Sequence, residues 1–203
     1  MRVTAVVFIA LALGACRDDP LADAREFWNA TYREPRAFPA SAFLQSVVKN
    51  QPPGRALDIC MGQGRNALFL ASRGWKVTGI DISDEGLRRA RAAAARRKLA
   101  IKTILGDVGT WDHGEEAWDL VLLIYADDDV NKVSRSLKHG GLIVSERFHV
   151  DANPRIGTTP EAFARTYADG FEILRNEVVE EVSVWGGPSR QPEKVVHFAA
   201  RKL

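Results

Sequence analysis

The stretch that most constrains this chain is Ala56-Leu-Asp-Ile-Cys-Met-Gly-Gln-Gly-Arg-Asn66. A short apolar run holding one acid, Asp58, leads directly into Gly62-x-Gly64, and a helical pattern begins at Asn66. Glycines let the backbone turn sharply and let a ligand approach closely. The first turn of the helix points unpaired N–H groups at the same spot. Asp81 ends the next apolar run, 81 − 62 = 19 residues beyond the first glycine. A carboxylate there can accept both hydroxyls of a ribose. Strand, glycine loop, helix, strand and acid together describe half of a nucleotide-binding α/β unit.

The rest of the chain extends that unit. Gln51-Pro52-Pro53-Gly54 is a breaker that opens the main domain. Strands are expected at Ala56–Met61, Lys76–Asp81, Ile101–Gly106, Asp119–Tyr125 and Leu142–Phe148. Helices are expected at Asn66–Ser72, from a Ser83 cap to about Leu99, and over Val130–Lys138, where Gly140-Gly141 stops the last. Thr159-Pro160 starts another helix, with proline at its first position. Phe171–Val184 and Lys194–Ala200 read as two long strands around Gly186-Gly187-Pro188, paired antiparallel. Alternating strands and helices imply a parallel sheet covered on both faces. The 203 residues suffice for one such domain.

The N-terminal region reads separately. Val3–Ala15 is uncharged and mostly apolar, too short for a comfortable span and suited to the core of a signal peptide. Leu13-Gly14-Ala15-Cys16 resembles the bacterial lipobox, which implies lipidation of Cys16 and anchoring to the membrane; a misassigned start would leave the protein in the cytoplasm. Residues 1–15 are thus expected to be a signal peptide, 16–50 a tether with one or two helices broken near Pro35 and Pro39, and 51–203 the main domain.

Net charge is +2, which gives no strong pull toward nucleic acid. Cys16 and Cys60 are the two cysteines, and His113, His139, His149 and His197 are scattered without metal-ligand spacing, so no metal site is expected.

Taken alone, Gly62-Gln-Gly64-Arg-Asn-Ala67 also satisfies the dinucleotide pattern of an NAD(P)-dependent oxidoreductase. Three features favour another cofactor. Asp58 is a buried acid, costly unless partnered, and a cationic sulfonium and amine would partner it. Gly106-Asp107-Val108 sets a further polar group at the same edge. No Tyr-x-x-x-Lys pair supplies a dehydrogenase proton donor. The run Leu57-Asp58-x-x-x-Gly62-x-Gly64-Arg65-Asn66, through Leu68-x-Leu70-Ala71 and Gly74-x-x-Val77 to Asp81, resembles class I S-adenosylmethionine (SAM)-dependent methyltransferases, and most of all the tellurite-resistance-type branch.

The resemblance implies a Rossmann-like three-layer sandwich, with a mostly parallel seven-stranded sheet whose last strand is antiparallel. It implies SAM as cofactor. Asp58 would lie beneath the methionine part, with Gly62, Gly64, Arg65 and Asn66 around it. Asp81 would hold the ribose and Ile82 would stack on the adenine. Asp107 and the Val108 amide would meet the adenine edge, and Tyr125 would face the methyl group. Cys60 stands where the family motif has its first glycine; a small buried core residue is expected there rather than a reactive thiol.

Other residues are expected to be structural or stay open. The Arg88, Arg89, Arg91, Arg96, Arg97 and Lys98 cluster reads as a solvated helix face rather than an RNA-binding patch. Phe27, Trp28 and Tyr32 either cap the substrate pocket or simply dock. Asp127-Asp128-Asp129 either tunes the pocket or serves a helix N-terminus. Tyr125 and His149 are weak candidates for catalysis, His149 being expected at the surface. With no substrate domain inserted, a small-molecule methyl acceptor is favoured and nucleic acid is not expected as a partner. A lipid-anchored binding protein with an inactive fold remains the alternative from another class.

Overall fold

Seven strands alternate with helices because apolar runs of strand length alternate with helix-period segments, as the chain between Arg55 and Lys202 shows. In a computed structural model, residues 21–34, 38–183 and 191–203 are described. The signal-like segment, Cys16, Pro35 and Gly186-Gly187-Pro188 lie outside the described residues.

Helices α1 (Ala22–Arg33) and α2 (Ala42–Val48) precede β1 (Arg55–Ile59) and α3 (Arg65–Ser72). Then come β2 (Lys76–Asp81), α4 (Asp84–Arg96), β3 (Ile101–Leu105), β4 (Trp118–Ile124) and α5 (Val130–Ser136). β5 (Leu137–Phe148), α6 (Pro160–Thr166), β6 (Phe171–Glu181) and β7 (Glu193–Lys202) close the chain. The sheet order is β3-β2-β1-β4-β5-β7-β6. β7 runs antiparallel to both β5 and β6, while the inner strands pair in parallel. This is the expected fold class.

Side chains alternate across β4. Leu120, Leu122 and Ile124 face a core built with Leu44, Leu70 and Leu87 from α2, α3 and α4. Val121 and Leu123 face the opposite core, with Val133 of α5 and Phe163 of α6. Helices therefore cover both faces.

Most boundaries differ from the sequence expectation by one or two residues, and two larger differences have a clear cause. The Ser83-capped helix ends at Arg96, not Leu99, because Lys98 turns left-handed (φ 54°). Leu99 N–H then donates to Ala94 C=O and Lys98 N–H to Ala95 C=O, which closes a Schellman motif. The helix expected to reach Lys138 ends at Ser136, and β5 starts at Leu137. Leu137 is fully buried and pairs with Trp118, so tertiary pairing outweighs the local stop signal at Gly140-Gly141.

Candidate functional site

The strand order reverses between β1 and β4, and in open parallel sheets ligands bind outside the carboxyl ends of the strands at such a point. A cavity of about 1430 Å³ lies there. Its floor is the turn after β1, lined by Cys60 to Gln63, Arg65 and Asn66; Gly64, expected at the site from the sequence, does not line it. Asp81 and Ile82 after β2, Gly106 to Val108 after β3, and Tyr125 to Asp127 after β4 form its walls. The fold thus brings Asp58, Cys60, Gly62, Arg65, Asn66, Asp81, Ile82, Asp107, Val108 and Tyr125 to one cavity.

Gly62 and Gly64 both have positive φ, 53° and 75°, where L-residues are strained. The Gly62 amide donates to Asp81 Oδ2 at 2.8 Å, and the Ser83 amide donates to Asp81 Oδ1 at 2.8 Å. The glycine loop and the β2 carboxylate are therefore one hydrogen-bonded unit. Gly64 supports α3 from beneath: a Cβ there would press on Ala90 and Met61.

Asp58 is buried, and its Oδ2 has no hydrogen-bond partner. Burial pushes its carboxyl up to about 7; the Arg65 charge and the Ala67 amide oppose the shift, and Asp81 adds to it. Burial also raises Asp81, against the amides of Ser83, Gly62 and Ile82. Asn66 is buried too, and its Oδ1 accepts from the Ser41 amide at 3.0 Å, fixing α2 to α3. Arg65 donates to the Pro39 carbonyl at 3.0 Å. Asp107 Oδ1 accepts from the Gly109 amide, and the Val108 carbonyl accepts from Lys132 Nζ at 2.7 Å.

Cys60 departs from expectation. It is exposed to the cavity rather than packed in the core, and its φ is 55°. The protein around the cavity floor and the nearby carboxylates, led by Asp81, push its thiol well above the usual range. The left-handed backbone shows why this position suits glycine. Tyr125 also has positive φ (55°) and lines the cavity. Its phenol is raised by burial and bonds to Ser183, with Glu146 and Glu181 adding to the shift. His149 does not line the cavity; its Nδ1 accepts from the Asp151 amide at 3.2 Å.

Helix α1 roofs the β2 side. Asn29 Nδ2 donates to Asp84 Oδ1 at 2.7 Å, and Asn29 Oδ1 accepts from Ser83 Oγ at 2.6 Å. Trp28 stacks on Tyr32. Tyr32 is buried against Gly62 and Gly86, and it lines the cavity. Of the aromatics left open by sequence, Trp28 and Tyr32 are therefore pocket-forming, and Phe27 lines the cavity while staying largely exposed.

The acidic triplet separates into three roles: Asp127 pairs with Arg147, Asp128 with buried His113, and Asp129 caps α5. Arg88 and Arg89 of the cationic helix both pair with Glu85, and Arg89 also caps the α1 carbonyls of Arg33 and Glu34. Sequence reading missed Asn29, Ser41 and the meeting of Glu146 with His197. Their partners are remote in sequence, so no local pattern marks them.

Residues 56–141 match the family model of the methyltransferase domain. The solved structure of TehB from Haemophilus influenzae is similar with a TM-score of 0.70 and 17% identity, covering 88% of this chain and 67% of that one. An SAM-dependent methyltransferase from Methanosarcina mazei gives a TM-score of 0.65 at 20% identity, covering 82% and 99%. A 23S rRNA (uracil(747)-C(5))-methyltransferase of Pyrococcus abyssi is 27% identical over 77 residues, 38% of this chain. The chain spans only 19% of that relative's length. Over residues 56–141 the chain is thus similar to the methyltransferase domain, and its fold is that of solved S-adenosylmethionine-dependent methyltransferases.

Proposed function

We propose that this chain transfers a methyl group from S-adenosylmethionine to a small-molecule acceptor bound in the same cavity. The observation that carries the reading is the buried, unpartnered Oδ2 of Asp58 beneath a glycine loop tied to Asp81. A cationic, ribose-bearing ligand fits that pair: Asp58 answers the positive charge, and the Asp81 oxygens retain lone pairs for ribose hydroxyls. Ile82 offers an apolar face for the base, and Asp107 an acceptor at its edge. When bound, the cofactor supplies an electrophilic methyl group on its sulfonium. The chain's own part is to orient and to exclude water.

The small-acceptor reading is supported by the cavity's roof. Helix α1 and residues Phe38 to Ala40 line it opposite the strand ends. At about 1430 Å³ it exceeds the usual size of a single small-ligand site, leaving room for an acceptor beside the cofactor. The relative that acts on rRNA makes RNA the outcome to test against.

Incubation with labelled SAM and a panel of thiols, amines, tellurite, tRNA and rRNA tests the reading. Label entering small thiols, amines or a chalcogen oxyanion supports it, and label entering only RNA or protein refutes the acceptor class. Calorimetry with SAM and with NAD(P) separates the oxidoreductase alternative. A folded chain that binds neither would be the inactive binding protein.

We also propose that Val3–Ala15 and the Leu13–Cys16 box direct the protein to a lipid anchor at Cys16. Fractionation with mass spectrometry of the mature N-terminus tests this. An unlipidated soluble product that starts near Arg17 overturns it.

A further inference from the structure

Three side chains from three strands converge behind Tyr125, outside the lining of the main cavity. Glu146 comes from the end of β5, Glu181 from the end of β6 and His197 from the middle of β7. The register explains one side of the meeting: Glu146 and His197 are direct partners across β5 and β7, whereas Glu181, whose own register partner is Glu193, comes to 3.5 Å of His197 from the far end of β6. One ligand-type atom from each of Glu146, Glu181 and His197 lies within 4.8 Å of the others.

His197 is 92% buried (8% exposed), and its Nε2 has no hydrogen-bond partner. That nitrogen stands 3.8 Å from Glu146 Oε1 and 3.5 Å from Glu181 Oε2. An imidazolium paired with a carboxylate would close to about 2.7–2.9 Å. Both gaps are too long for that. They lie close to the separation of ligands around a tetrahedral ion, about 3.4 Å for bonds of about 2.0–2.1 Å. The imidazole and the two carboxylates face one another without bonding.

The surroundings hold the three groups in place. Phe43 of α2 stacks on the His197 ring at 4.3 Å between centroids. Ser41 Oγ donates to Glu146 Oε1, and the same oxygen caps α2 by accepting from the Leu44 amide. Such a partner orients a metal-binding carboxylate. Glu146 is buried and Glu181 is one-third exposed, so an ion could arrive from the Glu181 side. The phenol of Tyr125, which does line the main cavity, lies in the field of both carboxylates.

We propose that Glu146, Glu181 and His197 form a site for one first-row divalent cation, with one imidazole and two carboxylate ligands and a coordination position left for water. This set suits zinc, manganese or iron(II) better than calcium, which takes oxygen ligands alone.

The test is titration of the purified full chain with Co(II), followed by its visible spectrum, and with Zn(II) in competition with a chelator. One equivalent should bind. His197→Gln and Glu146→Gln should abolish stoichiometric binding, and Ser41→Ala should weaken it about ten- to a hundredfold. His149→Ala, in a half-buried histidine outside the site and off the cavity lining, should leave it unchanged. SAM calorimetry on each variant reports folding and the methyltransferase reading independently of the metal. Should a variant fail to fold, proton NMR of the wild-type chain decides: Co(II) should shift the His197 imidazole resonances first. Failure of the wild type to bind any of these ions, retained affinity in His197→Gln, or paramagnetic shifts at other histidines instead would overturn the site.

Discussion

The Tyr32 ring fills the space that a side chain on Gly62 would need. A Cβ built on Gly62 would overlap the Tyr32 hydroxyl, and the same ring packs against Gly86 at the start of α4. The N-terminal helix is therefore keyed into the glycine loop, and the loop tolerates no added carbon on two counts. At φ 53°, alanine would cost about 1–2 kcal/mol from backbone strain alone. It would also displace Tyr32. Gly62→Ala should lower unfolding stability in urea by more than that strain and weaken SAM binding. Restoring stability by adding Tyr32→Ala would identify the ring as the obstacle, whereas wild-type stability in Gly62→Ala would refute the packing.

Asn29 is the latch between α1 and α4. It exchanges hydrogen bonds with Asp84 and Ser83, and it accepts from the Glu85 amide at 3.3 Å. Asn29→Ala leaves buried polar groups short of partners, at about 1–3 kcal/mol. The effect should be local. Hydrogen exchange over residues 22–33 should speed up while β1 and β4 stay protected. Uniform acceleration across the sheet would show that Asn29 supports the whole fold and is no local latch.

Asp58 makes stability fall as pH rises. An unfolded aspartate ionises near about 3.9, and Asp58 in the fold near about 7. Between those values the native state holds a proton that the unfolded state has lost. Its favourable contribution is complete below about pH 4 and is lost as pH climbs through about 7. The full shift corresponds to about 4 kcal/mol, an upper figure for a site that can relax. Asp81 and Glu146 are raised as well and act with the same sign. Urea denaturation of Asp58→Asn should show a shallower decline between about pH 5 and about pH 8 than the wild type. SAM affinity of the wild type should rise over the same interval, since a bound cation favours the ionised carboxylate. An unchanged slope in the variant would place the titration elsewhere.

Asp81 should dominate recognition of the ribose. Asp81→Ala removes charge-assisted hydrogen bonds worth about 1.5–3 kcal/mol, or about ten- to a hundredfold in affinity. It also releases the Gly62 and Ser83 amides. Asp81→Asn, which keeps one acceptor oxygen, should lose less. Calorimetry with SAM on both folded variants measures the difference, and equal affinity to wild type in either would sink the assignment.

The residues that sequence could place are those whose constraint is local. Asp58, Gly62, Gly64 and Asp81 follow from a strand running into a turn and a second strand ending on an acid; the fold sets Asp58, Gly62 and Asp81 at the cavity, while Gly64 packs against Ala90 and Met61. Ser83 and Thr159 were readable as caps because capping depends on amides two or three residues away, and both do cap. The start of β5 was not readable, because Leu137 is fixed by Trp118 across the sheet. His197 looked isolated for the same reason. Its neighbours Glu146 and Phe43 lie 51 and 154 residues away, and only strand order and the docking of α2 unite them. Cys60 was misjudged because an apolar strand pattern says nothing about the φ of the residue that ends it.

Cys60 offers a two-part check on the cavity floor. Its backbone is left-handed at φ 55°, a conformation that costs a side-chain-bearing residue about 1–3 kcal/mol. Glycine would relieve that strain but adds unfolded-state freedom worth about 0.5–1 kcal/mol. Cys60→Gly should therefore be neutral to slightly stabilising, while Cys60→Val, β-branched at positive φ, should be clearly destabilising. The thiol lines the cavity, yet its pKa lies well above the usual range, so little thiolate exists near neutral pH. Iodoacetamide should modify Cys60 slowly there and faster as pH rises, and bound SAM should protect it. Peptide mass spectrometry can follow the modification site by site. Rapid labelling at neutral pH would mean a stabilised thiolate and would contradict the surrounding ring of carboxylates; labelling that SAM leaves unprotected would place the cofactor away from this floor.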